Sequence, residues 1–140
     1  MPAVFEYFHQ VSADEIDGLG HVNNVAYVRW MQDAAVAHST VRGWDAQRYA
    51  SEDCGFVARS HFIEYLQPAF AEETILIRTW IAGMEKITSL RRYRMIRTSD
   101  DTLLAIAETN WAFLNLTTRR PKRIPAELRA AFDIIDDRER

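Results

Sequence analysis

At 140 residues, with 48% hydrophobic and 26% charged side chains, the chain suits one domain with its own core and needs no crosslinks to hold it. A formal net charge of −3 argues against the broad basic surface with which a nucleic-acid binder displaces counterions from phosphates. One cysteine, Cys54, excludes an internal disulfide, and no Cys/His spacing matches a zinc site, so no metal or other cofactor is expected.

The N-terminus, Met1-Pro-Ala-Val-Phe-Glu-Tyr7, lacks the basic start and apolar run of a signal peptide, and no stretch reaches the ~20 apolar residues of a membrane span. A soluble, cytoplasmic protein is the expectation. Val4 to Val11 alternates as a first strand, with Phe5, Tyr7 and His9 on one side and Val4, Glu6 and Phe8 on the other. Ser12 to Gly20 is rich in turn formers and ends it. From Asn24 the period becomes helical: Tyr27, Trp30, Met31, Ala34, Ala37 or His38, and Val41 recur at spacings of three and four, and Gly43 supplies a stop.

Trp44 to Asp53 reads as a polar, irregular connection, followed by a second strand from Phe56 to Leu66 that ends at Pro68. Thr74 to Ala82, Thr88 to Thr98 and Leu103 to Leu114 predict three more strands. Their links, Gly83 to Lys86 and Ser99 to Thr102, are short enough for antiparallel hairpins. The tail from Arg119 to Phe132 gives a basic loop, then a short helix with Pro125 near its start. The whole is an α+β domain over residues 1–140: a five-stranded antiparallel sheet wrapped around one long helix. Such a single layer leaves an outer face and an edge to be covered, which predicts a homodimer, with pairing of dimers into a tetramer left open; a monomer would need a polar outer face, which Arg91, Arg92, Arg94 and Arg97 could supply.

The chemistry-bearing segment is Asp17-Gly-Leu-Gly20-His21-Val-Asn23-Asn24-Val-Ala-Tyr27-Val-Arg-Trp30. It sets an acid, an imidazole and two amides immediately ahead of an apolar helix. A chain entering a helix presents unpaired N–H groups at its first turn, donors that suit a carbonyl oxygen acquiring charge. Taken singly, Asp17 also suits an Asx-turn, and Asn23 or Asn24 suits a helix cap.

Asp17-x-x-Gly20 with His21-Val-Asn-Asn24 and Tyr27, then Tyr65-Leu-Gln-Pro68-Ala before a strand, and Arg120-Pro-Lys-Arg-Ile-Pro125 near the end resemble the hotdog-fold thioesterases, in the 4-hydroxybenzoyl-CoA thioesterase and acyl-CoA thioester hydrolase branch. The His-Val-Asn-Asn string also resembles the plant acyl-carrier-protein thioesterases, although Leu19 stands where those carry an asparagine. The resemblance implies a hotdog fold and hydrolysis of an acyl-CoA or acyl-carrier-protein thioester. It makes Asp17 the nucleophile or general base, gives His21 a part in orienting Asp17 or water, and makes the backbone N–H of Asn24 the oxyanion donor. It also brings the second strand, with His61 and Glu64, toward a partner subunit's site, where Glu64 would be a second acid.

The substrate-binding candidates are Asn23, Glu64, the aromatic pair Tyr27 and Trp30 as walls of an acyl pocket, and Arg120 within the Arg119 to Arg123 cluster as a partner for coenzyme A phosphates. Two other enzyme readings fail on motif. No Gly-x-Ser-x-Gly elbow supports a serine hydrolase, and the histidine-centred helix pattern of the hotdog dehydratases is absent. The rival outside enzymes is an acyl-CoA or acyl-carrier-protein binding module that keeps the pocket and lacks the chemistry. The carboxylate at Asp17 favours the enzyme.

Overall fold

The computed structural model describes residues 2–137. Strand β1 (Phe5–Gln10) leads through a single 3₁₀ turn (Ala13–Glu15) into helix α1 (Asn24–Val41), then helix α2 (Ala46–Ser51). Strands β2 (Cys54–Tyr65), β3 (Thr74–Met84), β4 (Thr88–Arg97) and β5 (Thr102–Asn115) follow, and helix α3 (Ala126–Ala130) comes last. The strands form one antiparallel sheet in the order β1-β3-β4-β5-β2, so β1 and β2 are its two edges.

Helix α1 forms where the sequence switches period, and both ends are sealed by local chemistry. The Asn23 side chain caps the start by accepting from the Ala26 N–H at 2.9 Å. At the other end Gly43 takes φ +91, a left-handed conformation that glycine adopts without strain, and the Trp44 N–H returns to the Ser39 carbonyl. The face at three- and four-residue spacing, from Ala26, Tyr27, Trp30 and Met31 to Ala34, Ala35 and His38, is buried against the sheet. Each large side chain on it contributes about 1.5–3 kcal/mol of apolar burial. Around the first half of α1 the core gathers Ile75, Ile77, Tyr93, Met95 and Leu104. A second cluster, with Trp44, Cys54, Ile81, Phe113, Ile124 and Leu128, lies beside it.

Two expectations are corrected. Trp44 to Asp53 is not irregular throughout: Asp45 caps α2 by accepting from the Arg48 N–H at 2.8 Å, and Trp44 is buried beneath the Arg48 guanidinium, 3.7 Å from its ring centre. A six-residue helix is too short to display a period. Nor do the β4 arginines share one outer face. Alternation sends Arg92 and Arg94 outward and buries Arg91, in line with Tyr93 and Met95, toward the helix.

Strand β2 leaves one long edge free among the described residues, with Val57, Phe62 and Tyr65 well exposed along it. Its register slips between Ala58 and Ser60, so that Ile63 and Tyr65 turn toward α1 while Phe62 turns to the outer face beside Ile106 and Glu108. No helix among the described residues is long and apolar enough to cross a membrane.

Candidate active site

The loop between β1 and α1 is held by its own backbone. The Asp17 N–H donates to the His21 carbonyl at 2.7 Å and the Gly20 N–H returns to the Asp17 carbonyl at 3.2 Å. Gly20, at φ +83, occupies the left-handed corner of this turn. Ile16 bridges Val22, and the Val22 N–H reaches the Ala69 carbonyl, which ties the loop to the segment after β2.

This turn also orients the acid. Oδ1 of Asp17 accepts the N–H of Leu19 at 2.8 Å and of His21 at 3.2 Å. These are Asx-turn bonds, and they occupy one oxygen. Oδ2 has no hydrogen-bond partner among the described residues, and Asp17 is exposed. The carboxylate is thus fixed through one oxygen and open through the other.

The helix begins seven residues after Asp17. Asn23 spends its side chain locally, accepting from Ala26 and donating from Nδ2 to the Glu15 carbonyl at 2.9 Å. Asn24 and Val25 are the first helical residues, so their N–H groups have no intrahelical acceptor and lie at the positive end of the helix dipole; both residues are exposed. A carboxylate with one unpaired oxygen, in the turn that leads into free helix-start donors, supplies the two kinds of group that carbonyl chemistry requires.

The family model for the thioesterase-like superfamily matches residues 11–132, which spans this turn, α1 and every strand of the sheet except β1. The chain belongs to the thioesterase-like superfamily. Thioester hydrolysis is therefore its activity at the level of the family. It is 26% identical over 129 residues to the acyl-CoA thioester hydrolase YbgC of Escherichia coli, covering 92% of this chain and 96% of that one. Among solved structures, the 1,4-dihydroxy-2-naphthoyl-CoA thioesterase Slr0204 of Synechocystis superposes with a TM-score of 0.84 at 21% identity, over 91% of this chain and 94% of that one. SAV2348 of Staphylococcus aureus, solved in complex with CoA, does so with 0.85 at 16% identity, over 91% and 80%. The fold is the hotdog fold.

Within this thioesterase domain the other sequence candidates are distributed unevenly. The His21 ring is not bonded to the Asp17 carboxylate among the described residues; it stands edge-on to Phe70, centroids 5.4 Å apart. Tyr27 and Trp30 are core, at 2% and 0% exposure, with their rings 4.8 Å apart. Burial also pushes the Tyr27 phenol above its ordinary range, which keeps it protonated. Tyr65, whose ring meets Tyr27 edge-on at 5.0 Å, donates its hydroxyl to the Asn24 carbonyl at 3.2 Å and so braces the helix start from β2.

Two candidates lie elsewhere in the single chain. Glu64 pairs with Ile106 and, by alternation from Ile63 and Tyr65, projects to the sheet face opposite α1. Arg120 is exposed in the loop after β5, whose Asn115 end pairs with Cys54 at the start of β2. Asn24, in contrast, meets Tyr65 at the other end of that strand, ~36 Å away at the usual rise per residue.

The structure adds one residue that sequence reasoning passed over. Glu15 accepts from Trp30 Nε1 at 2.7 Å, bonds His9 Nε2 at 2.7 Å and accepts the Ser12 N–H at 3.0 Å. Burial raises its pKa, but the bonds from His9, Ser12 and Trp30 outweigh this and hold the carboxyl below its ordinary range. The Glu15 carbonyl takes both the N–H and the side-chain amide of Asn23. Glu15 thereby fastens β1, the Asp17 turn and α1 to one another, and both of its carboxylate oxygens are occupied. The visible signal was Ser12-x-x-Glu15, a capping-box spacing.

Proposed function

We propose that the protein hydrolyses an acyl-CoA thioester, or the equivalent acyl-carrier-protein thioester, with Asp17 as general base or nucleophile and the N–H of Asn24 as oxyanion donor. What supports this reading is the free Oδ2 of Asp17, in a carboxylate already fixed by two backbone bonds, within the turn that leads into the unpaired N–H groups at the start of α1.

Along the general-base route, Oδ2 takes a proton from a water whose oxygen bonds to the thioester carbon. Charge moves to the carbonyl oxygen, which the Asn24 N–H stabilises in the tetrahedral state. Collapse breaks the C–S bond, and the departing thiolate recovers the proton from Asp17. In the nucleophilic route Oδ2 itself bonds to carbon, the C–S bond breaks to release the thiolate, and water then cleaves the resulting anhydride to the free acid and regenerated Asp17, its proton going to the thiolate. His21, whose ring stands edge-on to Phe70, holds that water in this reading. Fixing Oδ1 lowers the cost of aiming Oδ2 during either step.

The working form is a homodimer joined along the free β2 edge. Antiparallel pairing of two β2 strands brings the Cys54 end of one copy to the Tyr65 end of the other. A second copy's Arg119 to Arg123 loop then approaches the first copy's Asp17, supplying cations for coenzyme A phosphates that the single chain leaves far away. Such a substrate places the enzyme in the cytoplasm, where coenzyme A thioesters are made and used.

Complementation tests the reading. Asp17→Asn and Arg120→Ala proteins, each slow alone in thiol release from hexanoyl-, palmitoyl- and benzoyl-CoA, should recover activity on mixing, because a mixed pair contains one site with both native residues. Thiol release that never exceeds the sum of the separate variants contradicts the shared site. Binding of these thioesters by the wild-type protein with no release of thiol would instead identify a non-catalytic acyl-CoA binding module.

A further inference from the structure

Arg91 on β4 is 5% exposed, and the described residues supply it with no carboxylate. Its only hydrogen bonds among them leave from Nη1, to His38 Nδ1 at 3.0 Å and to Thr79 Oγ1 at 3.0 Å, both uncharged acceptors. His38 is neutral: burial, then the nearby Arg91 and Arg42, push it down to about 3. Burial also lowers Arg91 itself, with only the phenols of Tyr93 and Tyr49 acting the other way. A guanidinium remains charged in such a place, so the molecule holds a buried cation without an anion.

The same side chain lines a cavity of about 340 Å³ between the second half of α1, α2 and the sheet, within the size range of small-molecule sites. Trp44, Phe56, Trp111 and Phe132 contribute apolar walls, and Val36, 55% exposed, borders it on the solvent side. Nε and Nη2 of Arg91 have no bonding partner among the described residues. From Asn24 to Ser39, which also lines the cavity, α1 rises ~22 Å, so in one chain this is a different place from the Asp17 turn.

We propose that this cavity binds an organic carboxylate, its acid group paired with the Arg91 guanidinium and its apolar body lying against Trp44, Phe56 and Trp111. The one unused edge of the planar fork, Nε with Nη2, matches a carboxylate's two oxygens, and aromatic walls select an apolar body over a bare inorganic anion. The carboxylate belongs either to a free acid, the class of product a thioesterase releases, or to the far end of an acyl group still attached to its carrier. The binding itself does not rest on the hydrolytic reading.

Titration with octanoate, octanamide and inorganic phosphate, followed by calorimetry and by tryptophan fluorescence, tests it. Octanoate is expected to bind about ten- to a hundredfold more tightly than octanamide or phosphate. Arg91→Met should erase that preference while folding normally, since an apolar side chain of similar length replaces an unpaired buried charge. Arg91→Lys, which keeps the charge, should retain part of it, and Asp17→Asn should bind octanoate as the wild type does. A second arm compares octanoyl-CoA with suberyl-CoA on the Asp17→Asn protein. An Arg91-dependent preference for suberyl-CoA assigns the carboxylate to a tethered acyl group, and octanoate binding without that preference assigns it to a free acid. Equal binding of octanoate and octanamide with no suberyl-CoA preference, or an Arg91→Met protein that keeps the preference, overturns the proposal.

Discussion

The two ends of helix α1 present opposite electrostatic situations. At the start, Asn24 and Val25 are exposed with N–H groups that lack a helical acceptor, and the carboxylate of the preceding turn keeps one oxygen free. In the second half, His38 and Arg91 are buried and form a cationic site without an anion. The first end is built by bonds between residues a few positions apart. The second is built by contacts across the sheet, with 53 residues separating His38 from Arg91. Local bonding yields an exposed polar turn, and the long-range contacts yield a largely apolar cleft with a buried cation in its wall.

The comparison breaks most readily at the helix start. Asn24 is the first residue of α1, where proline is tolerated because its missing N–H has no helical acceptor, and Asn23 already has the extended φ −70, ψ 153 that a following proline favours. Asn24→Pro should therefore keep the fold and lower kcat about 10²–10³-fold, the usual loss for one oxyanion donor, while Asn24→Ala stays near wild type. Steady-state kinetics with circular dichroism on both variants decides this. Equal activity in the proline and alanine variants would remove the N–H from the mechanism.

A smaller effect sharpens the other end. His38 has a folded pKa of about 3 against an ordinary 6.5, so between those values the unfolded chain binds a proton that the folded chain does not. Its contribution is fully present above about pH 6.5 and declines as the pH falls, at up to about 1.4 kcal/mol per pH unit until the folded value is reached. Denaturant melts from pH 7 to pH 4 should show this slope in the wild type and a shallower one in His38→Gln. Equal slopes would mean that His38 is not held neutral.

The same contrast explains what could be read from sequence. The strands, α1 and the hairpins were legible because period and turn chemistry are local, and so was the Asp17-Gly20-Asn23 turn. Helix α2 was hidden because six residues cannot show a period against Trp44 and Tyr49, which pack inward. Arg91 was read as solvent-facing along with its neighbours, since charge alone suggested exposure; the pleat beside Tyr93 and Met95 decided otherwise. The face taken by Glu64 depends on a register slip at Ala58/Ser60 that no residue type announces. Glu15 had a readable spacing, but its bonds to His9 and Trp30 depend on how β1 meets α1.

The central claim is that the open oxygen of Asp17 performs the chemistry beside the start of α1. Thiol release from a panel of acyl-CoAs by pure, folded Asp17→Asn protein tests it most directly. The asparagine keeps a side-chain oxygen for the Leu19 and His21 N–H groups, so the turn should persist. Turnover falling about 10²–10⁴-fold, with melting temperature and acyl-CoA binding unchanged, is the predicted result. Wild-type turnover in that variant would contradict the account.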